Sequence, residues 1–167
     1  MYGNTILHFL IYYENYDLFD KVLLIYKDKV NINLQNSYGY TILYFLIEQK
    51  RYSLLMKVLL MYKDKFNINL QDNDGRTILH LLLLERQFDL FKEVLLLFKD
   101  KYNINLLDRD GFVILHLLIY REQYDLFKEV LLMYKDRYDI NLQSKYGHTI
   151  LHSLIDQRQY NLFKEVL

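Results

Sequence analysis

The sequence predicts an all-α solenoid of stacked helix–turn–helix repeats with short extended arms and β-turn tips, and three observations predict it. All five glycines, Gly3, Gly39, Gly75, Gly111 and Gly147, stand 36 residues apart. The text behind each recurs: GNTILHFL, GYTILYFL, GRTILHLL, GFVILHLL and GHTILHSL. Further on, apolar residues recur at helical spacing in DLFDKVLL, SLLMKVLL, DLFKEVLL and its later copies. A fixed period of this size marks an architecture in which each copy buries its apolar face against its neighbours. One repeat domain over 1–167 is expected, with repeats near 1–35, 36–71, 72–107, 108–143 and an incomplete 144–167.

Each repeat holds two helical segments. In the fourth, Ile114, Leu115, Leu118 and Ile119 make one stripe, and Leu126, Phe127, Val130, Leu131 and Tyr134 make a second. Segments of roughly 8–11 residues are marginal alone, so stacking must hold them. Thr5, Thr41, Thr77 and Thr149 precede the first segment as caps, and Val113 lacks the hydroxyl. Asp17, Ser53, Asp89, Asp125 and Asn161 are the expected caps of the second. Between repeats, Ile68 and Leu70 alternate with Asn67 and Asn69 as a short extended arm, and DNDG signals a turn with glycine at positive φ.

These features resemble the ankyrin repeat. The resemblance rests on the glycine, on Thr77, Ile78, Leu79 and His80, on Val94, Leu95 and Leu96, and on Asn105, and it covers essentially the whole chain. The chain departs from that pattern in four places. Isoleucine replaces the proline after the threonine, and Leu82 and Leu83 replace small residues, which should push helices or repeats slightly apart. The inter-helix glycine is missing, and KDKY or a close variant replaces the glycine after the second helix.

Composition narrows the function. Lys plus Arg equals Asp plus Glu at 21 each, which argues against a nucleic-acid binder. No apolar run approaches a membrane span, so no membrane insertion is expected. The start MYGNTILHFL has no secretory pattern, and the absence of cysteine removes thiol catalysis and thiolate metal sites. No phosphate-binding loop, dinucleotide fingerprint, zinc-protease motif, hydrolase elbow or calcium loop occurs, so neither enzyme activity nor a cofactor is expected.

His8, His80, His116 and His152 share one slot, with Tyr44 in the second copy. Neighbouring copies about 10 Å apart cannot share an ion bound at about 2 Å. A tyrosine can pack and hydrogen-bond there but cannot replace a catalytic imidazole. The row therefore reads as structural, with Thr and His bonded to each other and to neighbouring backbone. The resemblance implies the same role. The KDK runs read as a solvated ridge at the outer-helix ends, and His148 as a lone exposed histidine on a turn tip.

Positions that differ between copies are free for binding or simply unconstrained. At the tips they are Tyr38, Tyr40, Asp74, Arg76, Asp110, Phe112, Tyr146 and His148. At the end of the first helix they are Tyr12 and Tyr13, Glu48 and Gln49, Leu84 and Glu85, Tyr120 and Arg121, and Asp156 and Gln157. The resemblance implies that these share a concave side that contacts partner proteins, and an exposed Phe112 is the best single anchor. The expected function is a non-catalytic protein–protein interaction scaffold whose partner is another protein. The alternative is a targeting or regulatory segment of a larger protein such as a ubiquitin-ligase adaptor.

The expected location is cytoplasmic, in a host cell if the source is a pathogen or virus. Neither end carries a polar capping repeat, and Leu162, Phe163, Val166 and Leu167 should leave apolar surface open. An excerpt of a longer array, a truncated reading frame or end-to-end self-association would each account for that.

Overall fold

A computed structural model of the chain describes residues 3–167. Among the described residues there are ten α-helices and no strand. They form five pairs: α1 (Ile6–Tyr12) with α2 (Tyr16–Ile25), α3 (Ile42–Glu48) with α4 (Tyr52–Met61), α5 (Ile78–Leu84) with α6 (Phe88–Leu97), α7 (Ile114–Tyr120) with α8 (Tyr124–Met133), and α9 (Ile150–Asp156) with α10 (Tyr160–Val166). The inner helix of each pair has seven residues, shorter than expected, and the outer helices from α2 to α8 have ten.

The chain divides into two compact units, one running to Asn73 and one from Asp74 to Leu167. In the N-terminal unit α1 packs on α2 and α3, and α3 on α4. Leu7, Leu10, Ile11, Leu43, Leu46 and Ile47 bury from the inner helices, and Phe19, Leu23, Leu55, Val58 and Leu59 from the outer ones. In the C-terminal unit α5 packs on α6 and α7, α7 on α8 and α9, and α9 on α10. Leu79, Leu82, Leu83, Leu115, Leu118 and Ile119 bury there against Phe91, Val94, Leu95, Phe127 and Val130. Helices this short depend on that packing, because their own nucleation is unfavourable.

The outer-helix caps stand two residues earlier than expected. Asn15, Arg51, Gln87, Gln123 and Gln159 hold the N-cap position, and only Asn15 caps with its side chain, to the Leu18 N–H at 3.3 Å. Asp17, Asp89 and Asp125 lie inside the first turn, where a carboxylate still suits the helix dipole. The aromatic residue before each of them begins the helix instead, because the preceding turn closes early.

That turn is the same in all five copies. Glu14, Lys50, Arg86, Glu122 and Arg158 have φ between 56° and 59°. In the first copy the Glu14 N–H donates to Ile11 O at 2.9 Å and the Asn15 N–H to Leu10 O at 2.8 Å. The fourth repeats it, Glu122 to Ile119 O at 3.0 Å and Gln123 to Leu118 O at 2.9 Å. This double bond pattern ends a helix with one left-handed residue, usually glycine. The missing inter-helix glycine therefore leaves the conformation in place, held by charged residues at a steric cost.

The tips at Gly39, Gly111 and Gly147 are each built around one polar side chain. Asn36 Oδ1 accepts from the Tyr38 and Tyr40 N–H groups at 2.9 and 3.0 Å, and the Gly39 N–H donates to Asn36 O at 2.9 Å. Asp108 holds Asp110, Phe112 and Gly111 in the same way, and Ser144 holds Tyr146, His148 and Gly147. At Gly111 (φ 77°) a Cβ would stand 2.7 Å from Ser144 Cα, whereas at Gly147 (φ 79°) it would meet nothing within 4 Å. The arm between outer helix and tip is interrupted by a turn at 68–69, where Asn67 Oδ1 accepts the Asn69 N–H at 3.0 Å. Ile68 is buried and Leu70 half-buried.

The Tyr62, Phe98 and Tyr134 slot is core, but Tyr26 is exposed. Leu162 and Val166, expected to stay open, are buried, and Phe163 is half-buried, because α10 folds its apolar stripe onto α9. Only Leu167 of that set is exposed.

Candidate interaction faces

The recurring slots account for the scaffold. The Thr5 N–H donates to His8 Nδ1 at 3.1 Å, so that nitrogen carries no proton, and the Thr5 hydroxyl donates to it as well at 2.7 Å. The proton then sits on Nε2, which donates to the Tyr40 carbonyl of the next repeat at 2.9 Å. Thr77 and His80 repeat the arrangement, with Nε2 donating to Phe112 O at 3.2 Å. The ring is thus a bolt between helix start, tip and next tip, and both of its nitrogens are engaged in this way.

Burial lowers the His8 pKa, the Tyr40 carbonyl opposing it in part. His116 is pushed down to about 4, chiefly by burial, with His148 nearby. Its Nδ1 accepts from the Val113 N–H at 3.3 Å, and Val113 supplies no hydroxyl. The His148 carbonyl stands on the Nε2 side, but Nε2 makes no well-formed hydrogen bond, so this copy is the weakest bolt. Tyr44 packs in the slot that histidine fills in the other copies. Its ring is half-buried and stacks on Tyr40, centroids 3.6 Å apart and planes at 3°, and Thr41 makes no side-chain cap.

Backbone and asparagine ties join successive copies within each unit. The Asn73 N–H donates to Tyr38 O at 3.0 Å, and Asn33 takes Lys65 O and the Asn67 N–H, each at 2.8 Å. In the C-terminal unit the Arg109 and Lys145 N–H groups donate to Asp74 O and Asp110 O, and Asn105 takes Arg137 O and the Asp139 N–H. Charges on the outer helices pair between copies, Lys57 with Asp20, Lys92 with Glu129 and Lys128 with Glu165. All are at least partly exposed, so each adds little stability.

Some of the copy-to-copy variable residues are exposed, others are engaged, and Tyr120 is both. Tyr38, Glu85, Tyr120 and Tyr146 are exposed. Asp74 pairs with Arg76 at 3.1 Å and with Arg109 at 3.0 Å, and Asp110 pairs with Lys145. Arg121 ends α7 and donates to Leu84 O at 3.4 Å, and Tyr120 Oη accepts from Ser153 Oγ at 3.2 Å. Tyr40 and Leu84 are half-buried.

Phe112 is not exposed. It is half-buried, its ring 5.5 Å from His116 and 5.4 Å edge-on to Tyr120, because those residues lie one and two helical turns along the same face of α7. Nor is His148 alone. It stacks on His152 at 5.6 Å and its Nδ1 stands 3.5 Å from Asp156 Oδ2. Burial raises the Asp108 pKa, offset in part by the Phe112 and Asp110 N–H groups.

One concavity in the N-terminal unit was not legible as such. A cavity of about 380 Å³ opens between the tips and the inner helices, lined by Asn4, Phe9, Tyr12, Asn36, Tyr38, Tyr40, Tyr44, Phe45 and Glu48. The signal available in the sequence was the gathering of aromatic residues at the variable positions of the first two copies. Among the described residues no cluster of three or more His, Cys, Asp or Glu side chains is placed to hold a metal ion, and no helix is long and apolar enough to cross a membrane.

A scan against protein-family models gives no match for the chain, and a search of curated proteins finds no similar one. What stands without them is a helical-repeat protein with a 36-residue period.

Proposed function

We propose that the chain is a non-catalytic protein-binding module of the ankyrin-repeat kind. In each unit the binding face is made of the tips and the ends of the inner helices. One observation carries the reading: the Thr–His slots that recur are engaged by bonds to the next repeat, while several side chains that change between copies stand exposed at the tips and inner-helix ends of each unit. Tyr38, Glu85 and Tyr146 stand exposed there. The ankyrin assignment is supported by the Thr–His bolt and by the glycine tips in register. The left-handed inter-helix residue is further support. Exposed tyrosines are a residue type that dominates binding energy at protein interfaces.

The test is capture of partners by the wild-type chain and by a Tyr38→Ala, Glu85→Ala, Tyr146→Ala variant whose folding is checked by circular dichroism. A partner held by the wild type and lost by the folded variant is the expected result. Equal retention by both would remove these faces from the function.

A further inference from the structure

We propose that the cavity of the N-terminal unit receives an arginine side chain of a protein partner. The inference rests on the reading that this face binds a protein, and it names the chemistry recognised. Six of the nine lining residues are aromatic, and none is a lysine or arginine. Tyr40 and Tyr44 form a parallel pair, with Phe45 edge-on to both at 6.3 and 5.8 Å. Phe45 is 8% exposed and makes the floor, while Tyr12 and Tyr38, at 60% and 46%, are walls open to solvent. The negative faces of such rings attract a cation.

Glu48 supplies the matching charge. It ends α3 at the rim, is exposed, and pairs with no cation among the described residues; the nearby Arg51 pairs with Glu14 and lies over the Tyr16 ring instead. The two asparagines of the wall are tied to each other and to the tip backbone. Asn36 Oδ1 holds the Tyr38 and Tyr40 N–H groups, and Asn36 Nδ2 donates to Asn4 Oδ1 at 2.8 Å. A lysine ammonium is compact and strongly hydrated, and aromatic faces replace its water poorly. A guanidinium is planar and weakly hydrated, lies on aromatic faces and forks a single carboxylate. A cavity of this size lies at the small end of ligand sites and suits one side chain.

The intact chain, with its tyrosines isotope-labelled, is titrated with N-acetyl-arginine methylamide into the millimolar range while the ring signals are followed by NMR. Saturable shifts at Tyr12, Tyr40 and Tyr44 are expected. The neutral citrulline analogue and the Glu48→Gln variant should each weaken binding about tenfold, the size of a lost charge-assisted contact. Tyr12→Ala removes an exposed wall and should weaken it about fivefold without unfolding the unit. The absence of saturable shifts, equal binding of citrulline, or tighter binding of the trimethyl-lysine analogue would each overturn the inference. Capture of a partner that survives such a negative result would leave the protein-binding reading standing and remove only the arginine.

Discussion

His116 sets a pH limit on the stability of the C-terminal unit. Its ring is fully buried, and burial pushes its pKa from 6.5 to about 4. Between those values the unfolded chain binds more protons than the folded one, so stability is full above the unfolded pKa and falls as pH falls. Each pKa unit is worth about 1.36 kcal/mol, which makes the whole loss about 3 kcal/mol. Integrated between about pH 7.5 and about pH 5, the loss is about 2 kcal/mol. His8 acts in the same direction in the N-terminal unit. Urea unfolding followed by far-UV circular dichroism at those two pH values measures it, in the wild type and in His116→Gln. The substitution lowers stability at both, but the drop between them should shrink by about 2 kcal/mol. A wild type with no acid-side drop, or a variant with the wild-type drop, would refute the buried neutral ring.

Four further substitutions probe the frame. Gly147→Ala meets only the cost of positive φ, about 1 kcal/mol. Gly111→Ala also collides with the Ser144 backbone and should cost more than about 2 kcal/mol, so equal costs in denaturant titrations would contradict the close tip-to-tip approach. Val113→Thr restores the hydroxyl that Thr77 gives His80 and should stabilise by about 1 kcal/mol, read as a higher denaturation midpoint. Glu122→Gly relieves the left-handed residue after α7 and should stabilise by about 0.5–1 kcal/mol, with an unchanged or lower midpoint counting against the strain.

The period, the helix pairs and the Thr–His bolt were legible because each recurs and each follows from local chemistry. The outer-helix caps were misplaced because Asp17 and its equivalents are good capping types standing two residues too late. The turn that displaces them depends on left-handed Glu14, Lys50, Arg86, Glu122 and Arg158, and nothing in a charged residue advertises that backbone. Phe112 read as exposed because it flanks a turn glycine; its partners His116 and Tyr120 lie on the following helix. Tyr44 read as a ring able to pack and hydrogen-bond in the histidine slot, but the sequence did not show that it stacks on Tyr40 and makes part of a cavity. Leu162 and Val166 read as open because the sequence does not show how far α10 folds onto α9.

The central claim is that recurring slots hold the scaffold and variable ones meet the partner. Hydrogen–deuterium exchange on the chain, free and bound to a captured partner, tests it most directly. New protection should fall at 38–40, 74–76, 110–112 and 146–148 and at the ends of the inner helices. Protection confined to α2, α4, α6, α8 and α10, with the tips unchanged, would contradict it.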